Sequence, residues 1–148
     1  MSDSIEIRID NQAVQDALLK VAAKAETLRP LMKNVAGIMA DATEQNFAQE
    51  GRPEKWQELA ESTIKKRKKA GHWPGQILQV EGRLATSITT QYNNESAIIG
   101  SNLDYAAIHQ LGGQAGRNKA VSIHARPYLQ LTEDDYQEIL EETEAFFQ

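Results

Sequence analysis

The residues of this chain that could do chemistry are three histidines and a few hydroxyl and carboxylate groups. His72, His109 and His124 show no i,i+3 or i,i+4 pairing, and the chain has no cysteine, so the sequence predicts no metal site. Asp104 with His109 or His124 could supply two members of a catalytic triad, but no serine stands in a G-x-S-x-G setting. We therefore expect a protein that is not an enzyme and needs no cofactor. A small hydrolase using these residues is an alternative.

A second chemically distinctive group is cationic. Lys65-Lys66-Arg67-Lys68-Lys69 is a continuous basic run, whereas residues 128–148 carry acidic side chains and no basic one. Such blocks can pair copies of a chain head to tail, or they can be two solvated helix faces. The formal net charge of −5 argues against a dedicated nucleic-acid binder, although a DNA contact at the basic run is an alternative. The candidate interaction residues are Lys65, Lys66, Arg67, Lys68, Lys69, Arg117, Lys119 and Arg126.

Two short segments near these cations lack a recognised binding motif. The glycine-rich segment 112–119 departs from the phosphate-loop order because Lys119 is followed by Ala120, so we expect a mobile loop over residues 114–119. Pro127 biases the preceding Arg126 toward an extended backbone. The arginine is then held in a defined direction, and we expect it to clamp a carboxylate or a helix C-terminus.

The N-terminal third predicts one strand and then helices. Alternating isoleucines predict a half-buried strand over residues 4–9. Asp10 and Asn11 offer N-cap oxygens, and apolar periodicity predicts two helices, or one kinked helix, across residues 11–49. Pro30 is expected in the first turn of the second helix. No apolar run approaches the roughly 20 residues that a membrane span needs, and the N-terminus resembles no secretory signal.

The remaining elements are predicted from periodicity and turn residues. A helical stripe of Trp56, Leu59, Thr63, Ile64 and Arg67 predicts a third helix that ends in the basic run, followed by a loop over residues 71–75. Residues 86–92 and 97–100 predict a hairpin that turns at 93–95. A helical turn over 105–111, a strand over 121–123 and a final helix N-capped by Thr132 complete the chain. These elements predict an α+β fold with N-terminal helices, a small antiparallel sheet or hairpin and a C-terminal helix.

The order of short motifs resembles the phage virion morphogenesis family, also called tail completion proteins, of Mu-like phages and prophages. The motifs are Trp56-x-x-Leu59-x-x-x-Thr63, Leu78-x-x-x-Gly82-x-Leu84-x-x-Ser87-Ile88, Ile99-Gly100, Tyr105-Ala106-x-Ile108-His109-Gln110-x-Gly112-Gly113 and Ala125-Arg126-Pro127-Tyr128-Leu129. They span about residues 52–131. The residues expected to carry the structural motif are Trp56, Tyr105, His109, Gly112, Gly113, Arg126 and Pro127.

The resemblance implies a single domain over residues 1–148 that acts in virion assembly. Its expected role is to complete the head-proximal end of a phage tail and to enable head–tail joining. The implied partners are other tail or connector proteins and further copies of the chain in a ring. Neither a membrane nor a small-molecule substrate is implied. We expect the protein in the host cytoplasm during assembly and in the tail or neck of the finished particle.

Overall fold

Helices and short antiparallel strands alternate along the chain in a computed structural model that describes residues 5–6, 11–23, 27–79, 82–119 and 121–146. The helices are α1 (Gln12–Ala22), α2 (Arg29–Ala48), α3 (Glu61–Ala70), α4 (Arg83–Thr86), α5 (Ala106–Leu111) and α6 (Glu133–Ala145). The strands are β1 (Ile5–Glu6), β2 (Thr89–Tyr92), β3 (Ala97–Ser101), β4 (Gly113–Ala115) and β5 (Val121–Ile123). The predicted α+β class is confirmed, with N-terminal helices and a C-terminal helix.

The two N-terminal helices begin where the sequence predicts. The Asn11 side chain accepts a hydrogen bond from the Val14 amide at 3.1 Å, which satisfies a free donor at the start of α1. Pro30 lies in the first turn of α2, where its missing amide hydrogen costs nothing. Residues 11–49 therefore form two separate helices rather than one kinked helix.

The larger sheet has three antiparallel strands in the order β1-β3-β2. Asn93 shapes the β2–β3 turn by accepting hydrogen bonds from the Glu95 and Ser96 amides, each at 2.8 Å. The predicted strand over residues 4–9 is confirmed at Ile5–Glu6, and its other positions lie outside the described residues. The strand predicted over 86–92 begins only at Thr89. Thr86 belongs to α4 instead, and the Ser87 amide closes the last turn of this helix by donating to the Arg83 and Leu84 carbonyls.

A second sheet corrects the expectation of a mobile loop over residues 114–119. There β4 pairs with β5, and a 3-10 turn, Arg117–Lys119, joins them. The Lys119 amide closes this turn by donating to the Gly116 carbonyl at 3.0 Å. The positive φ of Gly116, +81°, lets the chain reverse where a side chain would cause strain. Glycines that suggested mobility in the sequence thus serve a hairpin.

The third helix is shorter than its apolar stripe predicts. Trp56 and Leu59 precede α3, and the extended Ala60 is its N-cap. The Trp56 amide donates to the Glu50 carbonyl at 2.7 Å, and the carbonyls of Gln57 and Glu58 accept from a distant arginine. Because these backbone groups bond outside a helix, α3 cannot begin earlier. Its C-terminal end is as predicted, with residue 71 in a left-handed conformation and a loop beyond it.

Two apolar clusters hold these elements together. One joins α2, α5, β3 and the segment before α6; in it Phe47 stacks on Tyr128 at 5.3 Å and meets Trp56 edge-on at 5.9 Å. The other packs α1, α2 and α6 around residues such as Leu31 and Ile139. Helix α6 begins with a reciprocal capping box between Thr132 and Asp135. Its predicted stripe is buried at Ile139 and Thr143 and half-buried at Tyr136 and Leu140, and Phe147 lies outside the described residues.

Candidate functional site

A groove of about 620 Å³ brings together five of the residues singled out in the sequence: Arg67, Tyr105, His109, His124 and Arg126. Its walls come from residues 57–63, from α3 and α4, from one side of α5 and from β5. Leu59, Leu78 and Ile123 are half-buried along it, and Leu84 is buried. The wall is therefore largely apolar, whereas its polar members include the three arginines Arg67, Arg83 and Arg126 and two histidines.

Arg126 fixes the geometry of one wall. Its amide donates to the His109 carbonyl at 2.8 Å, which ties the segment after β5 to α5. Its Nε donates to the Gln57 carbonyl at 2.9 Å, and its Nη2 donates to the Glu58 carbonyl at 3.2 Å. The expected clamp is present, but it holds the backbone before α3 rather than a carboxylate or a helix C-terminus. With 8% of its surface exposed, Arg126 is not a free interaction residue.

Arg67 differs from the rest of the basic run. The helix turns Lys65, Lys66, Lys68 and Lys69 to solvent, whereas Arg67 is only 6% exposed and lines the groove. Its Nη1 donates to the Gln76 carbonyl at 2.8 Å, and its buried Nε has no hydrogen-bond partner among the described residues. The run expected to form one basic patch is therefore split between a surface group of four lysines and a recessed guanidinium.

The recessed basic residues affect one another's pKa values. Burial lowers the pKa of Arg67, partly offset by the charge of Glu50. Burial and then the Arg67 charge lower the pKa of Arg126. Burial and then the Arg126 charge lower the pKa of His109. The one ion pair within 4 Å in the described part of the chain joins Arg52 to Asp135, so none of the three groove arginines has a carboxylate partner there. The groove is thus suited to an anion.

The histidines do not form a metal site among the residues that the structure describes. His109 and His124 both line the groove, while Asp104 does not, and His72 lies exposed in the loop after α3. The His109 ring meets Tyr105 edge-on at 5.8 Å, and its buried Nδ1 has no hydrogen-bond partner within the described ranges. No group of three histidine or acidic side chains there could hold a metal ion. The structure brings the two histidines together without the aspartate expected to complete a triad.

Most motif residues serve packing and backbone geometry. The Trp56 indole donates to the Pro127 carbonyl at 3.2 Å, and the Tyr128 hydroxyl donates to the Ala106 carbonyl at 2.6 Å. Burial raises the pKa of the Tyr128 hydroxyl well above its ordinary value. A Cβ at Gly112, where φ is +74°, would stand 2.8 Å from the Ala125 nitrogen. Gly113 opens β4. Arg117 and Lys119 are exposed in the 3-10 turn, which leaves them available to a partner.

A buried polar network was missed by sequence reasoning. Arg52 donates to Asn46 Oδ1 at 2.8 Å, to the Ala42 carbonyl at 3.0 Å and to Asp135 Oδ2 at 2.9 Å. Asn46 in turn donates to the carbonyls of Tyr128 and Gln130. The network joins α2, the turn after it and the start of α6. The sequence gives only a weak signal of it, an asparagine on the apolar side of a helix.

The fold and its groove define a small α+β protein with a recessed surface suited to an anion. The profile of the phage virion morphogenesis family matches residues 9–148, and the chain belongs to this family. The protein therefore has a structural role in the assembly of a phage particle.

Relatives of this chain are encoded by Mu and by Mu-like prophages. It is 44% identical over 145 residues to "Mu-like prophage FluMu G protein 2" of Haemophilus influenzae, covering 97% of this chain and 96% of the relative. It is 34% identical over 145 residues to "Putative capsid assembly protein G" of Escherichia phage Mu, covering 95% and 92%. No solved structure matches the chain. No helix in the described part of the chain is long and apolar enough to cross a membrane.

Proposed function

We propose that this protein completes the head-proximal end of a phage tail and enables the joining of head and tail. The observation that carries the proposal is the family match over residues 9–148, which includes the whole motif run from Trp56 to Leu129. The name of the Mu relative refers to capsid assembly, whereas the motif series resembles tail completion proteins. The neck is the place where capsid and tail meet, so a protein acting there accounts for both.

The distribution of charge supports assembly through unlike surfaces. Lys65, Lys66, Lys68 and Lys69 form an exposed group on α3, and the solvent side of α6 carries acidic residues such as Glu138 and Glu141. The two groups lie on different helices and have opposite charge, so they can pair copies head to tail. Such a heterologous interface generates a ring when its rotation closes. We infer a ring of copies at the tail end, in contact with other virion proteins.

Contact of the four lysines with DNA is the second candidate. It is favoured by one observation, the exposure of all four side chains on a single short helix. Affinity for DNA would then fall steeply with salt, because bound lysines release counterions. The overall net charge of −5 opposes this reading.

Deletion of the gene from a phage that carries it tests the proposed function. We expect normal host lysis, separate heads and tails in the lysate, and few joined particles by electron microscopy. A plasmid copy of the intact gene should restore joining. In complemented lysates, the protein should be found by mass spectrometry in tails or finished virions. A deletion lysate with normal infectious particles in normal number would contradict the proposal.

A further inference from the structure

We propose that the groove beside Arg67 binds a carboxylate side chain, presented by an acidic segment of another virion protein and flanked there by apolar residues. This deepens the proposed function and rests on it only in taking the partner to be a virion protein. The segment would place one carboxylate against the Arg67 guanidinium and its apolar neighbours along the groove wall.

The free edge of Arg67 is the first reason. Its one side-chain hydrogen bond within the described residues uses Nη1 and the Gln76 carbonyl at 2.8 Å, so Nε and Nη2 have no partner there. These two nitrogens point the same way from the planar guanidinium, and together they bind a carboxylate through two parallel hydrogen bonds. Arg126 differs from Arg67 in this respect, because its Nε and Nη2 already donate to the Gln57 and Glu58 carbonyls.

The buried position of Arg67 is the second reason. Arg67 is 6% exposed, and a buried guanidinium nitrogen without a hydrogen-bond partner, such as its Nε, is costly and rare in native proteins. The positive charge of Arg126, and that of Arg83 in the same lining, add to the local preference for an anion. Glu50 acts on Arg67 only from beyond 4 Å, and the exposed Glu58 of the rim makes no ion pair. Within the described ranges, the groove therefore has a cationic end without its counter-charge.

The apolar wall is the third reason, and it distinguishes a peptide from a nucleic acid. Val121 is 53% exposed at the groove, and Leu59, Leu78 and Ile123 are half-buried beside it. Such a surface gains by covering aliphatic or aromatic side chains. Nucleic-acid backbones are bound instead by several free cations at once. Of the three arginines that line this groove, Arg126 already bonds the Gln57 and Glu58 carbonyls, and the lining includes Glu58 and no lysine. An acidic side chain with apolar neighbours fits both parts of the groove.

Nuclear magnetic resonance of the arginine side chains tests the site directly. The purified full chain, labelled with ¹⁵N, is titrated with the capped pentapeptide Ala-Leu-Glu-Leu-Ala, with the same peptide carrying Gln for Glu, and with inorganic phosphate. We expect the Arg67 Nε–H signal to shift with the Glu peptide, with a Kd on the order of 1 mM. Binding of the Gln peptide should be at least about tenfold weaker, because one charge-assisted contact is lost.

Matched variants keep the test specific to Arg67. Arg67→Lys retains the positive charge but removes the planar edge, and it should weaken binding of the Glu peptide at least about tenfold while the circular dichroism spectrum stays native. If Arg67→Lys does not fold, Val121→Asp at the exposed rim should weaken the same binding through the apolar wall. Lys33→Met changes an exposed residue of α2, away from the groove lining, and should leave binding unchanged.

Four outcomes would overturn the inference. These are equal binding of the Glu and Gln peptides, tighter binding of phosphate than of the Glu peptide, and an Arg67 signal that moves in a variant Glu58→Gln without peptide, which would show that a carboxylate of the groove itself occupies the edge. The fourth is a shift that depends on protein concentration alone, since a second copy would then be the occupant. None of these measurements involves phage particles, so their failure is distinguishable from failure of head–tail joining.

Discussion

Arg52, Arg67 and Arg126 are largely buried, and each illustrates a different use of a guanidinium. Arg52 pairs with Asp135 and ties α6 to the turn after α2. Arg126 braces the backbone before α3. Arg67 keeps one edge without a partner in the described part of the chain. The same residue type therefore serves folding at two positions and is available for recognition at the third.

Arg52→Met should destabilise the protein strongly. The substitution leaves the Asp135 carboxylate buried without its cation and removes a donor from Asn46, which costs about 3 kcal/mol in the free energy of unfolding. Urea denaturation followed by circular dichroism measures the change. Lys33→Met, at an exposed position of α2, is the control and should stay within about 0.5 kcal/mol of wild type. A loss below about 1 kcal/mol for Arg52→Met would mean that the pair contributes little.

His109 should make stability depend on pH. Its pKa in the folded protein lies below the ordinary 6.5, because of burial and the Arg126 charge, so the unfolded chain takes up a proton first as the pH falls. The contribution is complete above about pH 6.5 and is lost as the pH falls through the folded pKa. In unfolding experiments between pH 7.5 and 5, the free energy of unfolding of the variant His109→Gln should not show this decrease. A His109 ring signal that titrates at or above 6.5 would contradict the expectation.

Two glycines at helices have different roles: one only lowers helix propensity, and the other adopts a backbone geometry that the fold requires. Gly37 lies within α2, and an added Cβ would meet nothing within 4 Å. Gly112 ends α5 at a φ of +74°, where a Cβ would collide with the backbone of Ala125. The helix can therefore accept alanine at position 37, whereas the junction of α5 and β4 requires glycine at position 112.

Gly37→Ala and Gly112→Ala should therefore change stability in opposite directions. Gly37→Ala should stabilise by about 0.5–1 kcal/mol, since alanine loses less backbone entropy in a helix, and should raise Tm by roughly 2–4 °C. Gly112→Ala should destabilise by at least about 1 kcal/mol, through the left-handed backbone and the close contact. Thermal melts measure the change in stability of both variants. A Gly112→Ala protein as stable as wild type would refute the geometric requirement for glycine.

At the scale of the whole molecule, the separation of exposed lysines from acidic residues is the feature that concerns assembly. Lys65 and Lys66 lie before the last turn of α3, so their charges can be reversed with little effect on the helix end. The acidic side of α6 carries no basic residue. Exposed charges of this kind contribute little to a monomer, but across an interface they steer encounter and fix register.

The double variant Lys65→Glu, Lys66→Glu should block head–tail joining and leave the protein folded. Circular dichroism should be unchanged, while an in vitro joining assay should lose most of its product. The control variant Lys33→Glu reverses a charge at an exposed position of α2, and we expect it to support joining normally. If joining persists but salt-sensitive DNA binding is lost, the DNA alternative is favoured. Unchanged joining together with unchanged DNA binding would remove these lysines from the mechanism.

The family and most of the helices and strands could be predicted from the amino-acid sequence, because both depend on residues that are close together in the chain. The caps at Asn11 and Thr132, the position of Pro30 and the spacing of apolar residues all act within a turn or two of the chain. They predicted α1, α2 and α6, the β2–β3 turn and the place of β5. The order of motifs from Trp56 to Leu129 indicated virion morphogenesis, which the family match confirmed.

Three features could not be predicted and are seen only in the folded chain: the start of α3, the hairpin of β4 and β5, and the inward position of one member of the basic run. Each of these depends on partners far apart in sequence. Arg126 holds a carbonyl 69 positions away, and Arg52 pairs with a carboxylate 83 positions away. A local pattern contains neither partner, so Arg67 and its lysine neighbours look alike in the sequence. Folding distinguishes them, because burial leaves one guanidinium with a free edge and the lysines in water.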